Sequence, residues 1–186
     1  KITGFLLLYP KGLNLSSYIA MLNDPSIYHG IFISVARTVI GTGVSVFLTS
    51  MAAYVMTRND LIGIRFFRKF FVFTLYISAG LIPTYILIGS LGLLGTFWVY
   101  IIPGAVSVFN MILVKTYIEG LPGELAEAAI VDGASDHFLF FRIIFPLSTP
   151  VIVAVALFSG LGHWNDFMTT MLYNAMKPEL FPLQYI

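Results

Sequence analysis

The sequence predicts an all-α, polytopic transmembrane helical bundle from which one helical hairpin projects into the cytoplasm. Of its 186 residues, 58% are apolar and 10% charged, against roughly 45–50% and about 25% in an average soluble domain. A soluble fold so short of charge would leave apolar surface facing water. The few charges are also clustered: residues 38–57, 70–114 and 143–165 contain no Asp, Glu, Lys or Arg. Finally, five of the nine acids lie between Glu119 and Asp136, which singles that segment out from an otherwise lipid-compatible chain.

A bilayer core about 30 Å thick takes roughly 20 helical residues. Residues 38–57 and 143–165 therefore give one span each. The 45 residues 70–114 would run about 67 Å as a single helix, so they fold back as two spans. Their turn is expected at Gly89–Thr96, the Gly-richest part of the run. The expected spans are 31–56, 70–89, 97–117 and 146–167. Core helices of a larger soluble protein do not fit, because four such stretches leave too little chain to cover them. A cleaved signal peptide supplies only one short apolar segment.

Lys and Arg in short loops set the orientation. Residues 57–69 hold Arg58, Arg65, Arg68 and Lys69 against Asp60, so this loop is expected in the cytoplasm. The turn 89–96 and residues 173–186 then lie outside, and 118–145 inside. Residues 1–30 are expected to form an irregular extracytoplasmic segment. Within them the apolar run 2–9, too short to span, suits the tail of a missing first span. Gly80-Leu81-Ile82-Pro83 and Pro103-Gly104 fall mid-span, where Pro frees a carbonyl and bends the helix. Kinked helices suit a translocation pathway, although Gly and Pro are common in membrane helices generally. Gly41, Gly43, Ala52 and Ala53 would let helices approach closely.

The acid-rich segment reads as a helix–turn–helix. Pro122 suits a first helical position, and Glu124 and Glu127 sit early, where the helix dipole favours anions. Leu125, Ala128 and Ala129 share a face. Gly133 fits a left-handed C-terminal cap, and Ser135 an N-cap for a second helix over 136–145, closed by Pro146.

Several functions are excluded. The net charge of +1 gives no field directed at nucleic acid. There is no Cys, hence no disulfide framework, thiolate metal site or Cys nucleophile. His29, His137 and His163 are scattered and form no metal cluster by themselves; His137 reads as a surface contact. No Gly-x-x-x-x-Gly-Lys-[Ser/Thr] loop is present, so the chain is not itself an ATP-hydrolysing subunit. Arg37, about two turns into the first span, either snorkels to the interface or lines a polar cavity and meets an anionic substrate.

The run Glu127-Ala128-Ala129, then Gly133, then Ile143 and Phe145-Pro146 resembles the signature loop of binding-protein-dependent ABC importer permeases. Phe145 stands where that signature usually has Leu. Asp132-Gly133-Ala134-Ser135 and Trp164-Asn165-Asp166 are similar to the carbohydrate branch of the family. Gly80-Leu81-Ile82-Pro83-Thr84-Tyr85 and Phe181-Pro182-Leu183-Gln184 resemble its oligo- and polysaccharide subgroup. Ile33-Ser34 replaces an Asn-Ser pair common in the family.

The resemblance implies an integral subunit of a bacterial cytoplasmic (inner) membrane importer with about six spans, one before Lys1 and one after Ile186. The permease domain would cover 31–186 without its last span. Loop 119–146 would be the coupling helix that docks on a cytoplasmic ATPase. Its candidate residues are Glu124, Glu127, Ala128, Ala129, Asp132, Gly133, Ile143 and Pro146. Glu127 is expected to make the polar contact, Ala128 and Ala129 the close packing, and Gly133 the bend. The implied partners are a second permease subunit, two ATPase subunits carrying ATP and Mg, an external solute-binding protein and a carbohydrate. No cofactor is expected on this chain.

Sugar sites combine aromatic platforms with amide and carboxylate groups. Arg37, Tyr85, Asn110, Trp164, Asn165 and Asp166 are the pathway candidates, with Trp98 and Tyr100 of suitable type. A peptide, amino-acid or oxyanion importer of the same design is the alternative within the class. Outside it stand a passive scaffold for the ATPase and an ion-coupled secondary transporter. The lack of any ionisable Asp, Glu, His, Lys or Arg over 70–114 speaks against the transporter.

Overall fold

The computed structural model describes residues 23–131 and 133–186, without the side chain of Leu125. Among them the regular structure is entirely helical. Helix α1 runs from Pro25 to Thr57. Pro25 suits its first turn, where no N–H is needed, and Asp24 Oδ1 accepts from the Ser26 N–H at 2.9 Å. The helix therefore begins inside the stretch expected to be irregular. It is the one described helix long and apolar enough to cross a membrane unaided.

The expected spans 70–89 and 97–117 are not continuous helices. The first consists of the end of α2, Ile64–Thr74, and α3, Leu81–Ser90. Between them Gly80 takes φ +83°, a conformation closed to most L-residues, and Pro83 occupies the first turn of α3. The second begins as a 3₁₀ turn, Phe97–Tyr100, passes through Pro103-Gly104 without regular helix, and resumes as α4, Val108–Glu119. Ser107 Oγ caps α4 by accepting from the Asn110 N–H at 3.3 Å. In both cases Gly and Pro break the helix where a kink was expected. The turn between the two falls within 89–96 as expected, with Gly92 at φ +69° and Gly95 at φ +68°.

The hairpin follows as α5, Gly123–Val131, and α6, Asp136–Leu147. Helix α7 is Thr149–Asn165, bent by 79° from α6. Of the expected span 146–167, residues 149–165 form α7, and residues 146–147 belong to the helix before it. Pro146 does not close α6. The π-helical stretch Leu139–Ile144 precedes it, and that widened turn accommodates a residue without an N–H. The chain ends with a π turn, Thr170–Asn174, and a 3₁₀ turn, Pro178–Leu180.

Helix α1 is the central post, packed along α7 and α4. Its buried face repeats every three or four residues as Gly30, Ser34, Arg37, Gly41, Ser45, Thr49 and Ala53. Small residues let backbones approach where lipid offers no hydrophobic drive. A Cβ on Gly41 would stand 2.7 Å from His163 Nε2, whereas one on Gly43 would meet nothing within 4 Å. Gly41→Val should therefore push α7 away and lower the thermal midpoint of the purified protein, followed by tryptophan fluorescence. Gly43→Ala should leave it unchanged or raise it, since Ala is favoured over Gly in a helix by about 1 kcal/mol.

Two apolar clusters mark the two ends of the bundle. One gathers Ala53, Tyr54, Met111, Val114, Phe140 and Val155, the other Ile33, Ile88, Val99, Tyr100 and Ile101. Segments that charge assigns to a common side touch each other. Arg58 in the first loop pairs with Asp136 of the hairpin at 2.6 Å. At the opposite end the Gly95 N–H donates to the Tyr173 carbonyl at 3.2 Å, and the Leu183 N–H to Ser34 Oγ at 2.8 Å.

Candidate functional site

The hairpin is built by local backbone chemistry. Helix α5 ends where the Ala134 N–H reaches back to the Ala129 carbonyl at 2.9 Å and the Gly133 N–H to Ile130 at 3.0 Å. Gly133 sits at φ +81°, the left-handed end that such a cap requires. Ser135 Oγ then accepts from the Phe138 N–H at 3.3 Å and starts α6. Pro122 precedes α5, whose first residue is Gly123. Glu124, Glu127 and Ala128 are exposed, while Ala129 and Ile143 are half-buried against the apolar core. Pro146 is exposed. A cavity of about 620 Å³ opens in the crook of the hairpin, lined by Ala129, Gly133, Ala134, Ser135, Phe138 and Ile143. Asp132 lies outside the described residues, as does the side chain of Leu125 that was expected on the Ala face.

The hairpin is fastened to α1. Leu139, Phe140 and Ile144 are buried, and the Phe140 ring lies 5.3 Å from that of Tyr54. Arg58, just past the end of α1, is a hub. Its Nη1 donates to Asp136 Oδ1 at 2.6 Å and to the Tyr54 hydroxyl at 3.3 Å, and its Nε and Nη2 to Asp60 at 2.9 Å each. Bidentate pairing favours both charged forms, holding the Asp60 carboxyl down to about 2 and the guanidinium firmly protonated. Arg68 caps the end of α1 by donating to the Met56 and Arg58 carbonyls at 2.7 and 2.9 Å. These fasteners were missed in the sequence, where the only signal is opposite charge in two loops assigned to one side.

The pathway candidates do not form one site. Arg37 does not snorkel: it is 1% exposed. Its Nη2 donates to the carbonyls of Trp164, at 3.4 Å, and of Asp166, and its guanidinium lies 5.2 Å from the Tyr100 ring centroid. A cation thus satisfies carbonyls at the C-terminal end of α7. Beside this node a cavity of about 390 Å³ is lined by Asn110 and Asp166 together with Ser45, Tyr100, Ser107, Ser159, His163 and Thr169. Asn110 Nδ2 donates to Ser159 Oγ at 3.3 Å, and Asp166 Oδ1 accepts from the Thr169 N–H at 3.1 Å. Tyr85 instead stacks on Tyr173, with centroids 5.8 Å apart. Asn165 is exposed and donates to its own helix at Leu161, 3.0 Å away. Trp164 contributes its carbonyl, while Trp98 is exposed. The serines and Thr169 were missed because a lone hydroxyl in an apolar run carries no signal until its neighbours are known.

Residues 5–177 match the family model of the binding-protein-dependent transport system inner membrane component. The chain belongs to this family. Its members are membrane components of transport systems, and the signature loop read from the sequence is the hairpin of α5 and α6. The chain is 41% identical over 167 residues to the polygalacturonan/rhamnogalacturonan transport system permease protein YtcP of Bacillus subtilis, covering 90% of this chain and 58% of the relative. It is 39% identical to the protein LplC of the same organism, covering 96% and 60%. A solved bacterial ABC transporter, involved in import of the acidic polysaccharide alginate, superposes with a TM-score of 0.90 at 29% identity, over 97% of this chain and 64% of the other. The chain spans about three-fifths of the length of these relatives.

Proposed function

We propose that this chain is the core of a permease subunit in an ATP-driven, binding-protein-dependent importer of carbohydrate, specifically an oligo- or polysaccharide. The observation that carries it is the hairpin: a capped helix pair with a left-handed Gly133 turn, fastened to α1 through Arg58 and running into α7 through a 79° bend. Closure of a pair of ATPases on Glu127, Ala128 and Ala129 would move α1 and α7 as one body. Residues 57–69 and 119–146 face the cytoplasm in this reading, and an external binding protein and a second permease subunit act at and beside the opposite end. Non-helical backbone over 75–80 and 101–107 supports a pathway, because such backbone is tolerated at membrane depth only against protein or a water-filled cavity. The cavity beside Arg37 supplies hydroxyls, an amide and a carboxylate suited to sugar hydroxyls; Arg37 itself lies behind this lining, bonded to the Trp164 and Asp166 carbonyls, and would reach an acidic saccharide only when the helices rearrange.

The test is uptake by the assembled importer in proteoliposomes, with ATP inside and candidate oligosaccharides outside. ATP-dependent accumulation of a saccharide is expected. Uptake driven by an ion gradient without ATP would overturn the reading, and uptake of peptides or oxyanions alone would replace its substrate.

A further inference from the structure

Helix α2 is thinly covered: of its 11 residues only Ile64 is buried. It carries Arg65, Arg68 and Lys69 among Phe66, Phe67, Phe70, Phe71 and Phe73, and the two classes separate by angle. At 100° per residue the three cations fall on one face with Val72, and Phe66, Phe67, Phe70 and Phe71 on the other. Phe66, Phe67, Phe70 and Phe73 are 48–66% exposed. Of the cations in the loop and helix, Arg58 is matched by Asp60 and Asp136, and Arg68 turns towards the α1 carbonyls and the Asn59 side chain. Arg65 and Lys69 are both exposed, and among the described residues neither has an ion pair or a side-chain hydrogen bond. A groove of about 440 Å³ runs from Arg68 and Lys69 to Val72, Phe73 and Tyr76, cationic at one end and apolar along the rest.

We propose that α2 binds an acidic phospholipid, its phosphate held by Arg65 and Lys69 and its acyl chain lying along Val72, Phe73 and Tyr76. Charge complementarity carries the choice of occupant. A protein surface would have to bury two unmatched cations, whereas an anionic headgroup neutralises them at the water interface, where aromatic side chains and basic stems are at home. A lipid pinned here would also steady the break at 75–80, which follows α2 directly. The inference rests on the family assignment to a membrane component and on the loop being cytoplasmic. It does not depend on which solute is carried.

The experiment uses the full-length chain in its assembled importer, purified in detergent and titrated with phosphatidylglycerol or phosphatidylcholine. Bound lipid is counted by native mass spectrometry. Wild type should retain phosphatidylglycerol preferentially, and R65Q/K69Q should weaken that preference roughly thirtyfold, since each basic side chain near an anionic membrane surface contributes about fivefold. R65K/K69R should restore it. Equal retention of phosphatidylglycerol by wild type and R65Q/K69Q overturns the proposal whatever the uptake assay reports. So does cross-linking of Lys69 to the partner permease without any phosphatidylglycerol preference, which would assign the face to protein.

Discussion

Glu127→Lys and Gly133→Val should each separate ATP hydrolysis from uptake while leaving the protein inserted. The two substitutions act through different physics. Glu127 is exposed on α5 and has no ion pair among the described residues, so reversing its charge leaves the hairpin intact. On the proposed docking to an ATPase, reversal at a polar contact of this kind costs about 2 kcal/mol or more, roughly thirtyfold in affinity. Gly133 acts through the backbone. At φ +81° an L-residue costs roughly 1–2 kcal/mol, and a β-branched one more. A Cβ there would meet nothing within 4 Å, so the penalty is conformational and not a clash. The turn should reopen and re-aim α5 against α6. In proteoliposomes, ATPase activity of the complex should become low or insensitive to the loaded binding protein, with uptake falling at least tenfold. Normal coupled uptake in both variants would remove the hairpin from the transmission path.

The hairpin could be read in advance because its determinants are local. A left-handed Gly, a Ser cap and early acids act within four residues of themselves, and each sits where the sequence puts it. The spans were less legible. An uncharged run reports tolerance of lipid; it does not report hydrogen bonding along the backbone, so 70–89 and 97–117 read as helices although Gly80 and Pro103-Gly104 interrupt them. Pro146 erred the other way, since a π turn that absorbs a ring leaves no mark in the sequence. The polar node is the clearest limit. Arg37 finds its carbonyls 127 and 129 residues downstream, and a lone cation in an apolar run looks the same whether it snorkels or is buried. The stripe of small residues from Gly30 to Ala53 was available as a 3.6-residue period, but it is visible only if small residues are counted as a class.

Arg37 offers the sharper test of the pathway, because its bonds go to main-chain atoms. The carboxylate of Asp166 caps the Thr169 N–H and receives no hydrogen bond from Arg37. Asp166→Asn should thus keep both the cap and the node, since Asn caps as well as Asp, and leave the thermal midpoint nearly unchanged. Arg37→Ala should behave differently. It strips charge-assisted hydrogen bonds from two carbonyls, at about 1.5–3 kcal/mol for bonds of that kind, and opens space against Tyr100. Nε and Nη1 of Arg37, however, have no partner among the described residues, and a buried guanidinium only partly satisfied carries a desolvation cost of its own. Arg37→Met fills the space and removes that cost, so it should recover much of the stability lost in Arg37→Ala. If those two nitrogens serve an anionic sugar as it passes, Arg37→Met should fold and hydrolyse ATP yet fail to take up an acidic saccharide. Acidic-saccharide uptake equal to wild type in Arg37→Met would reduce Arg37 to a fastener between α1 and α7, and the pathway would have to be sought among Ser45, Asn110 and Thr169 instead.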